Sequence, residues 1–312
     1  MMRLLISFAL LAAGAVAVAH AEASHSFVDA STGTGTACTK QVPCGTLQNG
    51  LDFAWEGGNV YLFGRGPLGV ATATKAARIA GDNMAEVNGL TVNAPGKTLM
   101  LNGVVFDHGA YASPGLTINA AQSVVVTNAR ITGRPGGIVF SPSSTASLTL
   151  KNVTFSDSSG SSGAAIRIKT NGYNVNVSLE NVKVSGGTRG IVIDAGGGGF
   201  AKVSIKDSTF ANIAGLGIGA YSGTGNIRLY LDNVTSVNNT HGLVAHGART
   251  IAWLGSSTIA GNSIGVLRQS GGSVQSYKDN YIFNNNTDGT PLSGSYAPAA
   301  TGTGDEVAAA GR

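Results

Sequence analysis

The chain has 312 residues, of which 46 are glycine, 12% are charged and 6% are aromatic, with a formal net charge of +4. The positive charge is spread thinly and forms no run of lysine and arginine, which argues against the concentrated basic patch of a nucleic-acid binder. A glycine-rich, sparsely charged chain of this length suits tight turns and small repeated units in one large domain or two ordinary ones.

The first 21 residues read as a signal peptide. Arg3 supplies the positive start, residues 4–19 form an apolar run, and Ala19-His20-Ala21 or Ala21-Glu22-Ala23 offers a small-x-small cleavage site. The run is short for a spanning helix, which needs about 20 apolar residues, and no second one follows. The expectation is a mature protein starting near Glu22 or Ser24, soluble and secreted to the periplasm or the medium, with no membrane span.

Residues 22–58 are expected to form an N-terminal cap. Cys38 and Cys44 are the only cysteines. In an exported chain that pair reads as a disulfide closing a small loop. A zinc site needs more ligands than His25 can add. Residues 46–56 then place Leu47, Leu51, Ala54 and Trp55 on one side of a short helix, with Gly57-Gly58 as its stop. Such a helix would cover the open apolar end of a solenoid.

Residues 59–290 carry a repeat. A strand begins at Gly89, Gly115, Gly137, Ala165, Gly190, Gly217, Gly242 and Gly265, in steps of 22 to 28 residues. A second marker falls at Gly103, Asn128, Asn152, Asn181, Asp207, Asn233, Ser256 and Asp279, in steps of 23 to 29. After each glycine, apolar residues alternate with others, as in Leu90/Val92, Leu116/Ile118, Ile138/Phe140, Ile166/Ile168 and Ile191/Ile193. A second strand (Leu148-Thr149-Leu150, Val203-Ser204-Ile205, Leu229-Tyr230-Leu231), the Asn/Asp position and a third strand (Val153-Thr154-Phe155, Val182-Lys183-Val184) complete the unit. Stacking equivalent strands uses every inward residue for one core and brings the Asn/Asp positions into a hydrogen-bonded column. The helical half of a leucine-rich repeat is missing, and a propeller blade needs about 40–45 residues. The fold class is therefore all-β, a parallel β-helix of about eight regular three-strand coils.

The repeats GIVI and VSIKDSTF, the GxG turns, the opening FVDAS…C…PCGTLQNGLD and the closing NNNTDGTP resemble right-handed parallel β-helix (PbH1) repeat proteins of the pectin-lyase-like group. The likeness is to secreted bacterial members of undefined activity. It implies a right-handed coil and a substrate carried on the outer face of the marker-glycine sheet.

Arg268 stands where an inward residue is expected, so the coil at 265–279 reads as terminal. Residues 291–312, rich in Ala, Gly and Thr without apolar period, read as a disordered tail.

The outward positions of the marker strands supply the candidate site. The later position reads Asn93, Asn119, Ser141, Lys169, Asp194, Tyr221, His246, Gln269. The earlier reads Thr91, Thr117, Val139, Arg167, Val192, Gly219, Val244, Leu267, with Arg189 and His241 in the turns before. Arg167, Lys169, Arg189, Asp194, Tyr221, His241 and His246 are the substrate-binding candidates, with a glycan or cell-surface polysaccharide as partner and a monomer as the expected state. The structural alternative makes Lys169 and Asp194 an exposed ion pair and Tyr221 a cover for Gly219. It would leave a passive, adhesin-like solenoid.

Hydrolysis calls for two carboxylates and the stripe offers only Asp194. Fragments similar to polygalacturonase motifs (Arg167-Ile168-Lys169, His241-Gly242, His246-Gly247, Asn286-Thr287-Asp288-Gly289) run in reversed order and lack the paired aspartates. β-Elimination from a uronate polymer is the enzymatic alternative: Arg167, Lys169 or Arg189 would neutralise the carboxylate, and His246 or Tyr221 would move the proton. A calcium-assisted version needs clustered acids; no metal or other cofactor is expected. Asp107-His108 near Tyr111 reads as a turn pair. The serine stretches at 141–144 and 156–162 read as turns, since no base accompanies them.

Overall fold

The computed structural model of the chain describes residues 23–107, 114–133, 137–157 and 163–292. The expected signal peptide, His108 and Tyr111, most of the second serine stretch and nearly all of the expected tail lie outside the described residues.

The described chain is a parallel β-solenoid of about eight regular turns. One sheet has ten strands, all from the marker position: Val70–Ala73, Gly89–Asn93, Leu116–Ala120, Ile138–Phe140, Ile166–Lys169, Ile191–Ala195, Leu216–Ser222, His241–His246, Ile264–Gln269 and Thr287–Gly289. The eight predicted strands are all present, with one more at each end. The second and third strands of the coils make up a nineteen-stranded sheet. They count as one sheet because strands such as Ala146–Ser156 and Asn174–Ser185 run unbroken through the corner between them.

Alternation sends every second residue inward, where columns of Leu, Val, Ile and Phe from successive coils stack into one core. Close packing against the next coil and the core, rather than backbone strain, calls for these marker glycines. A Cβ on Gly137 would lie 2.9 Å from Ala165 O and 3.0 Å from Phe155, and one on Gly190 would lie 2.3 Å from Gly217 O and 2.9 Å from Phe210. At Ala165 the third strand of the next coil offers the smaller Val184, opposite Phe155.

The Asn/Asp corner is left-handed. Asn128, Asn152, Asn181, Asp207, Asn233 and Ser256 have φ between 47° and 56°. Asn and Asp tolerate this region better than other side chains. The column is bonded as expected: Asn128 Nδ2 donates to Asn102 Oδ1 (2.8 Å), Asn152 to Asn128 (3.0 Å), Asn181 to Asn152 (2.9 Å) and Asn233 to Asp207 (2.7 Å). At the last coil Lys278 takes the left-handed position instead of Asp279, which accepts from Ser256 Oγ at 2.8 Å.

The N-terminal helix is shorter than predicted, Leu47–Phe53, with Thr46 Oγ1 accepting from the Asn49 N–H. Ala54 is already extended and opens the strand Ala54–Phe63, so Gly57 and Gly58 lie within a strand and do not stop the helix. Once the backbone is extended, Ala54 points in and Trp55 out. Trp55 is 49% exposed, which corrects its assignment to the buried side of the helix. Leu47 and Leu51 are buried, and the helix packs against Ala23–Asp29, Ala54–Phe63 and Val70–Ala73.

The Cys38–Cys44 disulfide is formed. Its loop lies along the first strand: Phe27 N–H donates to Cys38 O (2.8 Å), Cys44 N–H to Phe27 O (2.9 Å) and Asp29 N–H to Cys44 O (2.8 Å). The staple thus covers an edge that would otherwise offer unpaired backbone groups. At the other end Arg268 faces Ala245 in the inward column. Its guanidinium donates to the carbonyls of Gly272 (3.1 Å) and Pro291, which explains a charge at an interior position. Among the described residues no helix is long and apolar enough to cross a membrane.

Candidate functional site

Strand register builds the candidate stripe. Lys169 stands opposite Asp194, Asp194 opposite Tyr221, Tyr221 opposite His246, and His246 opposite Gln269. With rungs about 4.8 Å apart, Lys169 to His246 covers about 14 Å. Asn119 does not join this column: the register shifts after Ile118, and Ala120 stands opposite Asn93. Ser141 lies just past the end of Ile138–Phe140. Arg167 pairs with Val192 in the earlier column. His241 lies beside Leu216 and Ile264 at the strand starts. Arg189 lies in the turn before Ile191 and is close enough to act electrostatically on Tyr221.

The middle of the face is apolar and closed. Val192 and Val244 point outward yet are only 7% and 3% exposed. Tyr221 lies over Gly219: a Cβ there would come within 2.8 Å of Tyr221 Cε2 and 2.9 Å of Leu216 Cδ1. The glycine makes room for the ring, so Tyr221 does serve as its cover. The polar groups form two rows along this floor, Arg189 and His241 on one side, Lys169, Asp194, Tyr221 and His246 on the other.

Lys169 and Asp194 form no ion pair among the described residues. Asp194 Oδ1 instead accepts from Gly196 N–H at 2.8 Å, tying the carboxylate to the glycine loop that follows. That loop is layered between neighbouring turns, with Thr170 Oγ1 donating to Gly198 O and Thr224 Oγ1 to Gly196 O (3.0 Å). The Tyr221 and His246 rings are 5.8 Å apart and tilted by 36°. His246 Nε2 is 3.0 Å from Ser270 Oγ. Burial pushes the Tyr221 phenol pKa up, opposed by the nearby Arg189 charge. A phenol shifted upward stays protonated at neutral pH and acts as a hydrogen-bond donor rather than a base. The stripe can therefore present a cation, a carboxylate, a phenol and an imidazole in sequence beside an apolar floor. Asp194 is the one acid in the column, and no group of three or more His, Cys, Asp or Glu among the described residues could hold a metal.

Two aromatic features escaped the sequence reading. On the outer face of the larger sheet, Tyr230 and Trp253 stack with centroids 4.7 Å apart and planes 7° apart. The signal was present, since both occupy the middle outward position of second strands in successive coils. Near the N-terminus, Phe27 and Tyr61 stack at 5.3 Å beside an open, largely apolar cavity of about 460 Å³ that Lys40 and Asp82 also line. Comparison with protein-family models, with curated proteins and with solved structures finds no match for this chain.

Proposed function

We propose that this protein is an exported, monomeric solenoid that binds a glycan on the outer face of its ten-stranded sheet. The observation that carries the reading is the register Lys169–Asp194–Tyr221–His246, which turns residues from four coils into one row beside an apolar floor. The half-buried ring of Tyr221, edged by a few oriented polar groups, suits a sugar, which has both apolar ring faces and hydroxyls. Tyr221, protonated and half-buried, fits the role of donor and platform better than that of a catalytic base. We read the coil as right-handed and the helix Leu47–Phe53 as part of its N-terminal cap.

The test is a glycan panel that includes uronate polymers, probed with the wild type, Lys169→Ala and His246→Ala. Retention by at least one glycan is expected, weakened about tenfold in the variants, a loss of about 1.4 kcal/mol. Retention unchanged in both variants, or none by any glycan, contradicts the assignment. Release of conjugated unsaturated products from uronate polymers would favour β-elimination instead. A passive structural role also has an observation in its favour, the packing of Tyr221 over Gly219. Complete absence of glycan affinity would leave that reading standing.

A further inference from the structure

The larger sheet carries a second strip on its outer face, away from the stripe above. Its middle column is Thr149, Ser178, Ser204, Tyr230, Trp253, each opposite the next in register. Beside it run Ser147, Asn176, Lys202 and Arg228. The first part is a shallow groove of about 270 Å³ whose lining includes Ser147, Thr149, Asn176, Ser178, Lys202 and Ser204. The groove runs towards the aromatic pair. Tyr230 and Trp253 are stacked nearly parallel, so each gives one face to the other. The remaining face of Tyr230 looks along the column to Ser204, a small residue that leaves it open. A floor of hydroxyls and one amide thus leads to an upright aromatic wall braced by a tryptophan.

Charge narrows the occupant. The outward positions of the second strands from Ala146–Ser156 to Asn226–Asp232 hold four cations, Lys151, Lys202, Lys206 and Arg228, and two carboxylates, Glu180 and Asp232. Both carboxylates are matched, Glu180 by Lys151 at 2.8 Å and Asp232 by Lys206 at 4.0 Å. Arg228 is turned onto the carbonyls of Ile227 (3.2 Å) and Arg249 (3.4 Å). Lys202 forms no ion pair among the described residues and lines the groove. The net charge of the strip is therefore positive, concentrated beside the hydroxyl floor.

We propose that this groove binds a carboxylated oligosaccharide lying along the solenoid axis, with one pyranose ring stacked on the open face of Tyr230 and a carboxylate at Lys202. Aromatic faces pack well against the apolar C–H faces of a sugar, and the serine, threonine and asparagine side chains match its hydroxyls. A single-stranded nucleic acid also uses stacking and cations, but successive bases need successive platforms. Here one ring face meets the groove. The proposal does not depend on the stripe of the other sheet.

Trp55 and Trp253 are the only tryptophans. In Trp55→Phe, Trp253 becomes the sole indole reporter, directly behind the proposed wall. Titrating that protein with a uronate hexasaccharide is expected to give a saturable change in Trp253 emission. Affinity should fall about fivefold to tenfold in Tyr230→Ala and in Lys202→Ala. Lys202 is exposed and its replacement leaves the fold intact, so that variant decides the matter if Tyr230→Ala folds poorly. The carboxyl-reduced hexasaccharide should bind more weakly, and His246→Ala should leave the titration unchanged. Emission unaffected by the uronate, equal binding of the reduced sugar, equal binding of a single-stranded oligonucleotide, or loss through His246→Ala with Lys202→Ala silent would each overturn the proposal. The last of these would still leave the stripe as a binding site.

Discussion

Phe210→Ala is expected to destabilise the solenoid by about 3–5 kcal/mol, the cost of emptying a large, fully buried aromatic site. Phe210 is 0% exposed and stands between Val184 and Ser236 in the inward column of the third strands. Its ring also fills the space left by Gly190, where a Cβ would lie 2.9 Å from Phe210 Cδ1. Neither small neighbour in the column can expand into the void, and Ser236 Oγ is already committed to the Gly242 carbonyl at 2.9 Å. The cavity is therefore expected to persist. Urea unfolding of wild type and variant gives the difference. A value under about 1 kcal/mol would mean that the ring is not packed as described.

Asn239→Leu is expected to cost about 3 kcal/mol although it replaces a polar residue by an apolar one in the interior. Asn239 is 4% exposed. Its Oδ1 accepts from Ile213 N–H at 2.9 Å, and its Nδ2 donates to Phe210 O and Ser236 Oγ, both at 3.1 Å. The pattern repeats one and two coils on: Asn262 Oδ1 accepts from Asn239 N–H and Asn285 Oδ1 from Asn262 N–H, each at 2.9 Å. A leucine would leave the buried Ile213 N–H without its acceptor and remove both bonds donated by Nδ2, and that penalty exceeds the gain from burying its methyl groups. Thermal and urea unfolding should both register the loss. A neutral or stabilised variant would show that water or other groups satisfy these atoms.

The two predictions touch parts of the fold that were unequally legible. The Phe210 column followed from alternation, because a strand that reads Thr209-Phe210-Ala211 between polar turns can bury only its middle residue. The asparagine corner was visible as spacing, and its left-handed backbone explains the choice of residue. The inner column of Asn239, Asn262 and Asn285 was not visible: each sits among other turn-forming polar residues, and only the fold separates side chains directed inward from those facing water. The short helix was overextended for a related reason. Trp55 fits an apolar helical face by spacing, but the strand that starts at Ala54 reverses its direction.

The stripe was legible where strands pair without a shift and lost where they do not. Lys169, Asp194, Tyr221, His246 and Gln269 fall in one row, whereas the irregularity after Ile118 displaces Asn119. Alternation also marked Val192 and Val244 as outward without showing that neighbouring side chains close over them. Whether an outward position is open depends on side-chain direction, which spacing does not encode. Tyr230 and Trp253 were missed because only the outward positions of the marker strands were read as a binding face. Aligning the second strands by the same period would have brought them together.

The central claim is that distant residues become vertical neighbours because successive coils lie in register. Arg78, Met100, Val125, Thr149, Ser178 and Ser204 form one such outward column, each paired with the next. Nitroxide labels on Arg78→Cys and Ser204→Cys, with the native disulfide left oxidised, measure it directly by electron spin resonance. Five rungs predict a single narrow distance distribution near about 24 Å, offset only by the label linkers. A broad distribution, or one centred well away from that value, would contradict the solenoid register and with it both proposed binding faces.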